Sequence, residues 1–192
     1  MDTTQPPQES RHDDDQATEA SRDQWPGTLP EATRDALRAR LQTIYRTLDA
    51  RVSALNPRCD LSGRCCRFQE FEHTLFLSEA EALILLVDAP PPVRPLDDGQ
   101  TCPWQNDRGH CVARDARPLG CRVFFCDPAH QPHAADLTEE FLRELRQLTD
   151  DLGIPWNYAP LHRHLHQAMA DGRFPRASDP GPGQFRATKR LN

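Results

Sequence analysis

The chain predicts a mostly α domain with irregular cysteine-rich loops, a small α+β unit stabilised by metal. Three observations lead there. Four stretches carry apolar residues at helical spacing; all seven cysteines fall between residues 59 and 126; and 18 prolines in 192 residues interrupt the rest. That length suits one domain with tails rather than two full domains.

Residues 1–28 read as a disordered acidic tail, because seven acids face only two arginines up to residue 30 and no apolar periodicity is present. The domain proper spans 30–171, with its cysteine core at 59–126. A first helix runs from Pro30 to Leu55, with Leu37, Leu41, Ile44, Leu48, Val52 and Leu55 on one face. Asn56-Pro57 ends it, since a residue before proline avoids the helical region. Phe71 to Leu77 alternates as a short strand. Ser78-Glu79-Ala80-Glu81 has capping-box spacing and opens a helix to about Val87, which the Pro90–Pro92 run stops. Residues 88–101 read as a loop. From Cys102 to Cys126 turn formers dominate, so this segment is expected to bury little apolar surface and to depend on cross-links. A helix over Leu137–Leu152 presents Leu137, Phe141, Leu145, Leu148 and Leu152, and Gly153 and Pro155 end it. A last helix from Pro160 to about Asp171 turns Leu161, Leu165 and Ala168 or Met169 inward. Residues 172–192 read as a disordered basic tail, with five basic residues against one acid.

Several function classes drop out. The first residues lack the apolar core of a secretory signal, and no stretch approaches the ~20 apolar residues of a membrane helix. The expectation is a cytoplasmic protein that touches no membrane, in a compartment that keeps thiols reduced. A net charge of −6 argues against a nucleic-acid partner. No Walker loop or dinucleotide fingerprint occurs among the 9 glycines. Seven cysteines without distinguishing context make a thiol hydrolase a poor reading. An odd number of thiols fits a disulfide framework poorly, which leaves metal.

The ligand pool is Cys59, Cys65, Cys66, Cys102, Cys111, Cys121 and Cys126. Zinc usually draws ligands from Cys-x2–4-Cys knuckles, and here only Cys121-x4-Cys126 comes near. Seven thiols also exceed one tetrahedral shell. Iron–sulfur clusters take one cysteine per iron and tolerate looser spacing. Adjacent Cys65 and Cys66 suit ligands divided between metal centres, because consecutive side chains usually diverge. The balance therefore tilts to an iron–sulfur cluster or iron, with zinc as the alternative. Arg58, Arg64, Arg67, Arg117 and Arg122 flank the thiols and could offset excess thiolate charge.

Cys59-x2-Ser62-Gly63-x-Cys65-Cys66-Arg67, then Cys102-Pro103, Cys111 and Arg117-Pro118-x2-Cys121-Arg122, resembles the YkgJ-like cysteine-cluster family. The resemblance covers residues 59–126 and implies a zinc- or iron-chelating domain. It departs at Ser62, where that family carries cysteine. Cys126, His73 or His110 is then the candidate replacement ligand. A related motif in flagellin lysine methylases keeps an enzymatic role in view. His162 and His166, spaced i, i+4, have the spacing of a two-histidine metal site but read better as a solvated face.

The expected function is metal chelation by a binding or structural module. The alternative is an iron- or iron–sulfur-dependent oxidoreductase or modification enzyme with a protein redox partner, using a pocket lined by His73 or Trp104.

Overall fold

The computed structural model describes residues 29–173; the expectations for residues 1–28 and 174–192 lie outside them. Glu31 opens the compact unit that contains every element described. Helix α1, Glu31–Leu55, buries Leu37, Leu41, Tyr45, Leu48 and Val52. Leu55 stays exposed, and Tyr45 takes a core place that the aliphatic pattern missed. Asn56 turns to φ 47°, the left-handed conformation that asparagine tolerates, and so ends the helix ahead of Pro57.

Strand β1 is Phe76–Ser78, which corrects the expected strand from Phe71. The earlier residues curl into turns, with Glu72 at φ 50°, so the alternation there reflects turns and not pleating. Helix α2, Glu79–Asp88, begins with the full capping box. The Ser78 hydroxyl accepts from the Glu81 amide, and Glu81 accepts from the Ser78 amide at 2.8 Å. Helix α3 is only Leu119–Val123.

Helix α4 runs Gln131–Asp151, six residues earlier than its hydrophobic repeat predicts. Pro132 falls in its first turn, where a missing N–H costs nothing, and the preceding 3-10 turn Pro128–His130 is capped by Asp127. Gly153 at φ 63° provides the left-handed stop. Strand β2, Tyr158–Pro160, pairs antiparallel with β1, Leu77 facing Ala159. Helix α5, Leu161–Ala170, follows at once and buries Leu161, His164, Leu165 and Ala168, whereas Met169 points outward.

Helices α1 and α4 pack together, and α3 lies against both. Helix α2 leans on α5 and the strand pair, completing a small α+β domain. A second apolar cluster joins Phe68, Leu77, Leu85, Trp104, Leu161 and Leu165 with Cys66 and Cys102. The cysteine segment is therefore not coreless as its composition suggests. Trp104 is almost wholly buried, its indole N–H donating to the Pro90 carbonyl at 2.7 Å, so it cannot line an open pocket. Among the described residues, no helix is long and apolar enough to cross a membrane.

Candidate metal centre

Cys65 and Cys66 lie in a 3-10 turn, Arg64–Cys66, entered through Gly63 at φ 70°. A Cβ at Gly63 would come within 2.3 Å of the Gly109 carbonyl oxygen and 2.5 Å of Gln105 Nε2. Only glycine fits that approach, and the tight turn draws the two vicinal side chains together. Their sulfurs stand 3.9 Å apart, which corrects the expectation that consecutive cysteines diverge.

The other thiols arrive from separate segments. The Cys102 amide donates to the Cys66 carbonyl at 2.8 Å, fixing one strand of chain beside the other. Cys111 is bridged across to Gln105, whose buried side-chain amide donates to the Gly63 and Gly109 carbonyls at 2.9 and 3.2 Å. Gln105 thus clamps the turn bearing Cys65-Cys66 to the loop bearing Cys111. Nothing in the sequence marks this glutamine, because its role depends on contacts 42 residues apart. Cys121 sits in α3, whose first amide, at Leu119, donates to Glu81 Oε1 at 2.7 Å. The residue that caps α2 therefore also anchors the helix carrying Cys121.

These groups perturb one another electrically. Hydrogen bonding from Cys66 lowers Cys65 from 9.0 to about 7 and Cys111 to about 6. Cys66 itself is driven upward, first by Cys102 and then by Cys111 and Cys65. Burial pushes the Cys121 thiol well up, with the charges of Cys102, Cys65 and Cys111 adding to it. Arg117 favours thiolate at both Cys65 and Cys111, and Arg114 does so at Cys111. Cys65, Cys102 and Cys111 thus act on Cys66, and Cys102, Cys65 and Cys111 act on Cys121.

Cys59 is exposed, and Cys126 Sγ lies 3.6 Å from Ser62 Oγ, so the serine and that thiol face each other. His73 borders the centre without joining it: its ring stacks on Phe124, and Nε2 lies 3.5 Å from the Cys65 carbonyl. His110 is exposed. Most flanking arginines are engaged elsewhere. Arg58 pairs with Asp60, Arg67 with Glu70 and Arg122 with Asp49, while Arg64 lies over the Phe71 ring.

Among the described residues, no group of three or more Cys, His, Asp or Glu side chains is placed to hold a metal ion. The thiols that act on one another do not form a closed shell. Their chemistry nevertheless suits a soft or borderline metal. Four sulfurs about 2.3 Å from one zinc ion stand about 3.8 Å apart along each tetrahedral edge. The 3.9 Å separation of Cys65 and Cys66 is close to that edge.

Comparison with family models, with curated proteins and with solved structures returned no match.

Proposed function

We propose that this chain binds a metal through Cys65, Cys66, Cys102, Cys111 and Cys121, as a module whose loops the metal holds together. The observation that carries this reading is that thiols from separated segments act on one another, Cys65, Cys102 and Cys111 on Cys66, and Cys102, Cys65 and Cys111 on Cys121. The spacing of Cys65 and Cys66 favours two ligands on one ion and hence a tetrahedral zinc-type site. Bound there, the ion would supply cross-linking and neutralise the lowered thiols, with Arg117 and Arg114 offsetting residual negative charge. The resemblance to the YkgJ-like family, with its zinc- or iron-chelating domain, points the same way.

One observation favours a second reading. Five thiols exceed the four a single tetrahedral ion takes, which suits an iron–sulfur cluster and an oxidoreductase or modification role.

Metal analysis of anaerobically purified protein, paired with its absorption spectrum, separates these. Stoichiometric zinc in a colourless sample supports the first reading. Iron and sulfide with a broad visible absorption move the assignment to the second. Protein free of any metal overturns both. Cys66→Ser should lose the metal, and Cys59→Ser should retain it. Full metal content in Cys66→Ser would sink the proposed ligand set.

A further inference from the structure

His162 and His166 are one helical turn apart on the outer side of α5, so their imidazoles lie on the same helix face. His164 between them belongs to the opposite side, buried, with Nε2 at 2.9 Å from the Leu77 carbonyl. The tertiary fold sets a carboxylate beside His166. The loop over residues 97–101 crosses this end of α5, and Asp98 Oδ1 stands 3.4 Å from His166 Nε2. The His162 ring lies flat against Gly99, where a Cβ would come within 2.5 Å of Nδ1.

That loop has a fixed shape. Asp97 accepts the amides of Gly99, Gln100 and Thr101, at 3.0 Å and 2.7 Å for the first two. Asp97 is consumed in building the turn, and Asp98, with its side chain 93% exposed, is the carboxylate presented outward.

We propose that His162, His166 and Asp98 form a second metal site, for a first-row divalent transition ion of the nickel, copper or zinc type. Two imidazoles at this spacing on one helix face can ligate a single ion, and imidazole selects these borderline metals. A carboxylate beside the pair completes three protein ligands, which leaves outer positions to water. Among the described residues no three such side chains are placed to hold an ion, so binding here requires them to reorient, for which Asp98, 93% exposed, has room. The same loop continues into Cys102, so an ion here would pin α5 to the chain that delivers one of the clustered thiols. The site stands on its own side chains and does not depend on the thiol centre binding metal.

The probe is nickel(II) chloride, titrated calorimetrically into the full chain as purified, alongside thermal unfolding with and without the ion. Wild type should bind one nickel ion through these residues and unfold at a higher temperature in its presence. His166→Gln and His162→Gln should each weaken that event at least about tenfold and remove the thermal shift. Asp98→Asn, an exposed loop change that leaves the helix untouched, should weaken it several-fold. Circular dichroism identical to wild type establishes that each variant is folded. Absence of a nickel event in wild type, or one that persists at full strength in both histidine variants, overturns the site.

Discussion

Glu81 does more than its position in a capping box suggests. It is 2% exposed, and its carboxylate accepts from the Ser78 amide and hydroxyl, the Tyr45 hydroxyl and the Leu119 amide. One side chain thereby ties α1, α2 and α3 together. Glu81→Ala leaves those donors buried without a partner, and we expect a loss of about 3 kcal/mol or more in urea unfolding. Tyr45→Phe removes a single bond and should cost about 1 kcal/mol. Its neighbour Glu79 has the opposite character. Burial raises its carboxyl from 4.5 to about 7, with Asn157 and Arg173 opposing the shift, and Oε1 has no hydrogen-bond partner among the described residues. The folded protein therefore holds a proton at Glu79 that the unfolded chain has already released. The associated stability is full below pH 4.5 and is lost as pH rises through about 7. Glu79→Gln, which mimics the protonated form, should gain on wild type across that window. Equal urea midpoints for the two proteins at pH 8 would contradict the assignment.

At the scale of elements, the turn carrying Cys65 and Cys66 depends on one glycine. Gly63 and Gly153 share a left-handed backbone, at φ 70° and 63°, but only Gly63 is crowded; nothing lies within 4 Å of a Cβ at Gly153. The pair separates conformational strain from steric clash. Gly153→Ala should cost about 1 kcal/mol, the backbone term alone. Gly63→Ala should cost more than about 2 kcal/mol, because the Gly109 carbonyl must also move. Under the proposed metal-binding function it should reduce metal content as well, which Gly153→Ala should not. Similar thermal stability in the two variants would show that the turn yields easily.

Across the whole molecule, stability divides between two cores. Helices α1 and α4 bury apolar faces, Leu37, Leu41 and Leu48 on one and Phe141, Leu145 and Leu148 on the other. The thiol-bearing loops rest on a smaller apolar cluster under Phe68, Leu85 and Trp104. Metal removal should loosen the second region and spare the first. Hydrogen exchange on chelated protein should quicken at amides such as Cys102 and Val112 while Leu41 and Leu145 remain protected. Uniform acceleration throughout the chain would mean that the centre supports global folding.

Helix existence was legible in the sequence because α1 and α4 each repeat apolar residues at the period of their own backbone. The capping box was legible too, as a local pattern of four residues, and so was the cysteine crowding. The start of α4 was not, since Gln131 to Asp136 offers no apolar face and is helical only because Asp127 and Pro132 permit the turn. Nor was the divided fate of the cysteines. Whether a thiol joins its neighbours depends on which loops meet, and here Gln105 and Glu81 decide that from 42 and 38 residues away. Cys59 and Cys126 look no different in the sequence from Cys65 and Cys121, yet Cys59 lies exposed and Cys126 faces Ser62. Periodicity is a property of one segment and can be read there; convergence is a property of several, and only tertiary packing sets it.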